Sequence, residues 1–232
     1  MFSLSVFACA AGAPLIDEGA EWSLGLSQAS NSELHAQLRP DVNEEQLHQI
    51  AHDDAARHRL SVPRKAHASI MGKVLCCPRF GVEQGVRPDG TKKLRAVDHF
   101  SWSYSAGQKK RKRREIKWSS FNGHFTSNEA VKHDHLDDLL AAMKLQFETE
   151  GQAPGLWQAD IEAAFRRVPL QESHQWAAAV AYLYHGEPWV AMHRTMPFGA
   201  TASVVAWHKV GALLQDIARQ LLHLPVFRYV DD

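Results

Sequence analysis

Two stretches of this chain carry the apolar spacing of an amphipathic helix. From Asp134 to Glu150, Leu136, Leu139, Leu140, Met143 and Phe147 recur at i, i+3, i+4 and i+7, with Asp137, Asp138 and Lys144 off that face. From Thr201 to Leu224, the spacing puts Val210, Leu213, Leu214, Ile217 and Leu221 on a buried face, and Pro225 stops the helix. Asp41 with Glu44 reads as a capping box that opens a more polar helix through about Leu60, with Leu47 and Ile50 on one side. Pro63 ends it. Shorter periods mark strands. Ser69 to Val82 reads as one or two strands around Pro78, followed by the turn Pro88-Asp89-Gly90 and a strand through Leu94 and Val97. Trp176–Tyr184 and Trp189–His193 form a predicted hairpin across His185-Gly186-Glu187-Pro188. Leu156–Asp160 and Val226–Val230 are two further predicted strands, the second running into Asp231-Asp232. Strands mixed with helices predict an α/β (α+β) fold.

Charge changes the picture through its distribution. The 232 residues carry 26 basic and 26 acidic side chains, a net charge of zero. Residues 1–60 hold three basic and nine acidic residues, 61–118 hold fifteen and four, and 119–232 hold eight and thirteen. A balance of +11 in the middle third predicts a polyanionic partner. Lys109, Lys110, Arg111, Lys112, Arg113 and Arg114 form an unbroken basic block, read either as a nuclear-localisation signal or as a solvated loop. No run approaches the ~18 apolar residues of a membrane span. Cys9, Cys76 and Cys77 make no zinc or disulfide pattern, so a reducing, intracellular setting, nuclear or cytoplasmic, is expected. Met1–Pro14 is apolar but lacks the basic start of a signal peptide.

Candidate chemistry gathers in the second half. Carboxylates at the ends of apolar strands are costly unless a cation neutralises them. If the two predicted strands lie side by side, Asp160 and Asp231 face each other, and divalent ions would keep both ionised. Two such ions ~3.5–4 Å apart are suited to phosphoryl transfer. The bland alternative for Asp231-Asp232 is a polar tail.

Four segments, in order, resemble the reverse transcriptases of retrotransposon-like elements, and together they cover about residues 75–232. Lys93-Leu94-Arg95-Ala96-Val97-Asp98-His99-Phe100-Ser101 resembles the fingers strand, and Asp160-Ile161-Glu162-Ala163-Ala164-Phe165 the first palm motif. Met196-Pro197-Phe198-Gly199-Ala200 resembles the motif before the long palm helix, and Tyr229-Val230-Asp231-Asp232 the Tyr-x-Asp-Asp box. The resemblance implies a right-hand polymerase: fingers, 61–120, on an incomplete palm with an antiparallel sheet backed by helices, 121–232. Residues 1–60 would be an extension of unknown role. It also implies the catalytic residues Asp160, Asp231 and Asp232. Two Mg²⁺ ions, with Mn²⁺ as an alternative, would be held by Asp160, Asp231 and the carbonyl of Ile161. Arg95 would contact the nucleotide triphosphate, Phe165 would exclude a 2′-hydroxyl, and Phe198 with Gly199 would shape the pocket. RNA or DNA template-primer and dNTPs would be the partners, with the basic block on the nucleic acid and no membrane involved. The family continues past its Tyr-x-Asp-Asp box into a returning strand and a thumb, so the sequence reads as a truncated form.

Two rivals accompany this reading: a non-catalytic nucleic-acid-binding remnant of a retroelement, and another two-metal enzyme such as a nuclease. Arg166 and Arg167 are expected near a nucleic-acid backbone or in solvent. Trp157, Trp176, Trp189 and Trp207 are expected in the core, and the fourteen histidines show no recognised ligand spacing.

Overall fold

A computed structural model describes residues 24–104, 118–123 and 131–228. Met1–Pro14, Cys9, the block Lys109–Arg114 and the box Tyr229–Asp232 lie outside the described residues. The helices are α1 (Leu24–Gln37), α2 (Glu44–Ala56), α3 (Ala68–Met71), α4 (Leu136–Glu150) and α5 (Thr201–Leu221). The strands are β1 (Arg64–Lys65), β2 (Cys76–Val86), β3 (Lys92–Asp98), β4 (Ser103–Tyr104), β5 (Trp118–Ser119), β6 (Ala179–Tyr184) and β7 (Glu187–Met192). Five strands form one sheet in the order β1-β7-β6-β2-β3, and β4 pairs with β5 separately. The fold is α+β.

The sheet departs from the antiparallel expectation at one place: β2 pairs with β6 in parallel, from Cys76 opposite Ala179 to Pro78 opposite Ala181. The strands of the predicted fingers and of the predicted palm therefore share one sheet. Pro78, which has no N–H to donate, is the last residue paired with β6, and pairing with β3 starts at Arg79.

The central strands read Cys76-Cys77, Ala179-Val180-Ala181-Tyr182 and Val190-Ala191 because both faces of the sheet are covered. Side chains alternate across a strand. Cys77, Val180, Tyr182 and Ala191 join a core with Leu47 and Ala51 of α2. Cys76, Ala179, Ala181 and Val190 join another with Leu34 of α1, Met71, Val74 and Trp102. α1 is not evident from the apolar spacing. It is stapled by buried Asn31, whose amide donates to the Met71 and Val74 carbonyls (2.7 and 2.6 Å) while its oxygen accepts from the Cys76 N–H (3.0 Å). The acidic N-terminal third thus supplies a cover for each face.

Several local expectations change. Asp41 makes no capping box. One of its oxygens accepts from the Asn43 N–H at 2.8 Å and the other from the Gly81 N–H at 2.7 Å, tying the start of α2 to β2. Ala68–Met71 is helical, so β2 begins only at Cys76. Trp176 sits in a 3-10 turn, Glu172–Ala178, ahead of β6. The β6–β7 hairpin closes on two residues, His185 (φ 51°) and Gly186 (φ 73°), the pair of positive φ values that suits strand twist.

The largest differences lie in the C-terminal half. Leu156–Asp160 forms no strand, nor do Val226–Arg228, because neither finds a pairing partner among the described residues. Trp157 is 71% exposed and no part of the core, whereas Trp207 is buried and Trp176 and Trp189 pack against core clusters. α4 forms where expected: the His135 N–H is held by Asp138 at 2.9 Å, and Gly151 (φ 70°) closes the other end. No residue of α4 is buried. α5 turns a different stripe inward than its apolar spacing implied: Ser203, Trp207, Gly211 and Gln215. Neighbouring backbone decides this. Ser203 Oγ donates to the Pro197 carbonyl at 2.6 Å, Gln215 to the Val226 carbonyl at 3.1 Å, and Gly211 leaves room for the Arg228 side chain. Leu214, Ile217 and Leu221 stay exposed. No helix among the described residues is long and apolar enough to cross a membrane.

Candidate functional site

Phe165 and Phe198 are far apart in sequence, and short backbone pairings bring them together. The Leu170 N–H donates to the Arg194 carbonyl at 2.8 Å, and the Met196 N–H donates to the Val168 carbonyl at 2.9 Å. This ladder sets the turn Ala164–Arg167 beside Pro197-Phe198-Gly199. The two rings meet edge to face at 5.2 Å. Ala163, at φ 53°, turns the chain just before Phe165; a non-glycine residue there carries backbone strain.

Gly199 and Arg95 complete the group. Gly199 has φ 85°, and a Cβ on it would meet the Asp98 carbonyl at 3.0 Å, so the loop lies directly on the end of β3. Asn122 clamps it: its amide donates to the Gly199 carbonyl at 2.8 Å, and its oxygen accepts from the Thr201 N–H at 3.0 Å, at the start of α5. Arg95, exposed on β3, holds its guanidinium 5.5 Å from the centre of the Phe198 ring. All four residues expected to bind nucleotide therefore meet: Arg95, Phe165, Phe198 and Gly199. Asn122 was missed, since a lone asparagine in a loop carries no signal of what it will clamp.

Beneath this group lies a buried charge cluster. Asp98, at the end of β3, accepts from Arg79 Nε at 2.7 Å and from His193 Nε2 at 3.0 Å. Arg166, next to Phe165, reaches Asp54 of α2 at 3.2 Å and Asp98 at 4.0 Å, and Arg79 reaches Asp54 at 3.4 Å. Two buried guanidinium cations and two carboxylates thus meet out of water, with the partly exposed Arg59 3.9 Å from Asp54 at the edge. Burial alone would raise the Asp98 carboxyl; Arg79 and then His193 outweigh it and hold it far below the ordinary range. Burial pushes the His193 imidazole down to about 4, against the pull of Asp98, so it is neutral near pH 7. A carboxylate only accepts, so the proton sits on Nε2, and Nδ1 has no hydrogen-bond partner among the described residues. Arg166 is therefore in neither of its expected places, whereas Arg167 is exposed beside Glu162 at 3.7 Å. Anchoring Arg166 also anchors Phe165, its neighbour in the turn.

The expected metal ligands are less complete. Asp160 and Ile161 are exposed on a segment without regular structure, so the strand expected to carry Asp160 is absent. Asp231 and Asp232 lie outside the described residues. The chain leading to them is tied down, since Asp134 accepts from the Arg228 N–H at 2.8 Å and also from Gln215. Among the described residues, no three His, Cys, Asp or Glu side chains converge as a metal would need. Of the basic excess, Arg79 is buried, Lys65 and Lys92 pair with Glu187 and Glu83, and Arg87, Lys93 and Arg95 are exposed on the β2–β3 hairpin or its turn.

No protein-family model matches the chain, and no curated protein matches it.

Proposed function

We propose that this chain is the fingers and palm region of a reverse transcriptase, an RNA-directed DNA polymerase of a retrotransposon-like element. The observation that carries the reading is the meeting of Arg95, Phe165, Phe198 and Gly199 on one surface. They come from three separate motifs of the resemblance, and nothing in the spacing of those motifs along the chain requires the three to meet.

In this reading the primer 3′-hydroxyl attacks the α-phosphorus of a deoxynucleotide, the bond to the β-phosphate oxygen breaks, and pyrophosphate leaves. Arg95 receives the triphosphate as a cation already steered by the Phe198 ring. Phe165 closes the space beneath the sugar and excludes a 2′-hydroxyl. Phe198 and Gly199 border the nascent base pair. Of the carboxylates that would hold two Mg²⁺, or Mn²⁺, Asp160 is the one described; its exposure leaves it open to a hydrated hard cation. The ions, when bound, supply neutralising charge at the reacting phosphates. The protein contributes positioning, with Arg166 fixing Phe165 from below. Arg87 and Lys93 meet template phosphates, so binding weakens steeply with salt.

Primer extension on an RNA template by the purified chain tests this, with Asp160→Asn as the control. Extension with dNTPs, lost by about a hundredfold or more in Asp160→Asn, is expected from removing a group that acts in the transition state. The non-catalytic remnant is favoured by one observation, the irregular, exposed segment that bears Asp160. It prevails if the chain binds RNA in a salt-sensitive way but neither it nor a version extended past Asp232 by the genomic reading frame elongates a primer.

A further inference from the structure

Where α2 crosses the β6–β7 hairpin, a second set of side chains converges, and the polymerase reading does not use it. His48 and His52 are four residues apart on α2 and so share a face. Their Nε2 atoms lie 3.2 Å apart. Two nitrogens bound to one tetrahedral zinc, each at 2.0–2.1 Å, stand about 3.3 Å apart. The pair therefore already has the spacing of two ligands on one ion.

The surroundings fix the orientation of the His48 ring. Its ring stacks on Tyr184, with centres 3.8 Å apart and planes at 3°, and Trp189 meets it edge-on at 4.7 Å. Its Nδ1 lies 3.0 Å from the Tyr182 hydroxyl. With Nδ1–H donating to that oxygen, Nε2 is left as the bare, metal-binding nitrogen, the arrangement by which outer groups orient a ligating histidine. Tyr182 is buried, so its hydroxyl is held in place beside the ring. Glu45, one turn earlier on α2, places negative charge nearby, where it also pairs with His185 at 3.0 Å and accepts from the Tyr184 hydroxyl at 3.1 Å.

We propose that His48 and His52 form a two-histidine site for a divalent transition-metal ion such as Zn²⁺, separate from the carboxylates of the polymerase reading. Imidazole nitrogens select Zn²⁺, Ni²⁺ and Cu²⁺ over Mg²⁺, so the two sites take different ions. No third protein ligand converges among the described residues, and water fills the remaining positions. In the metal-free protein one N–H lies between the two Nε2 atoms. On binding, the His52 proton moves to its own Nδ1 and both Nε2 lone pairs go to the ion.

Calorimetric titration of the metal-free chain with Zn²⁺ tests this, with Mg²⁺ titrated in parallel. Zinc is expected to fill a site that Mg²⁺ does not. His52→Ala, a change at an exposed position, weakens it more than tenfold, while the exposed control His67→Ala leaves it unchanged. Tyr182→Phe weakens it about 10–100-fold, the usual cost of losing an outer partner, with circular dichroism checking that the variant is folded. Absence of zinc binding, or the same isotherm for His52→Ala and the unaltered chain, overturns the site.

Discussion

The sheet under α2 and the surface of α4 treat their large side chains in opposite ways. Around the sheet, Leu47, Leu60, Leu75 and Tyr182 are removed from water, and even Arg79, Asp98 and His193 go with them. Along α4, Leu136, Leu140, Leu145 and Phe147 all remain exposed, and Trp157 and Ile161, further along the chain, are exposed as well. Burying a leucine-sized side chain is worth about 1.5–3 kcal/mol, so the first region carries the stability and the second contributes little. α4 exists because its ends are capped and its residues favour helix. The sheet exists because two helices from the N-terminal third close over it. Local signals are enough to form a helix, but only a covering element makes its apolar face count.

The sharpest way to break this contrast is Asp98→Ala. It leaves Arg79 and Arg166 sharing Asp54, so one buried positive charge goes uncompensated, and a loss of about 3–5 kcal/mol is expected by urea denaturation. A loss below about 1 kcal/mol would mean that water reaches the cluster and that the sheet region is not the dry centre.

The next effect is with pH. His193 takes up a proton at about 4 in the folded protein, against an ordinary 6.5 when unfolded. As pH falls the unfolded chain binds that proton first, so stability is full above about 6.5 and declines between 6.5 and 4. The slope approaches ~1.4 kcal/mol per pH unit, on the order of 3 kcal/mol in all. Asp98, depressed instead, costs stability only below its unfolded value of 3.8. Urea midpoints at pH 7.5 and 5 should differ far less in His193→Phe than in the unaltered chain; equal differences would remove His193 as the cause.

The smallest effect sharpens the other side. Phe147→Ser on α4 is expected to change stability by no more than about 0.5 kcal/mol, as surface substitutions do. A drop of about 2 kcal/mol would be the mark of a buried phenylalanine and would show α4 covered in solution.

The candidate site was partly legible. Arg95, Phe165, Phe198 and Gly199 stand in motifs that resemblance to reverse transcriptases picks out, and their meeting follows from pairings the motifs do not state, such as Leu170 with Arg194. The ion cluster was not legible. Arg166 was expected near a nucleic-acid backbone or in solvent, and nothing local marks Arg79 or Asp54, because each lies far in sequence from its partners and only their mutual neutralisation lets them be buried. The strand expected at Leu156–Asp160 illustrates the converse: apolar residues propose a strand, but backbone hydrogen bonds from a neighbour make one.

By itself, the sequence determined what depends on near neighbours. The spans of α4 and α5, the turn at Pro88-Asp89-Gly90 and the β6–β7 hairpin follow from spacing, caps and residues that favour turns, all acting within a few positions. Tertiary structure alone decided which face of α5 is buried, that β2 and β6 run parallel, that α1 and α2 take opposite sides of the sheet, and that five charged or titratable side chains gather beneath Phe165 and Gly199. Those outcomes depend on desolvation and on pairing between groups distant along the chain, and no local pattern encodes energies that exist only once the partners meet.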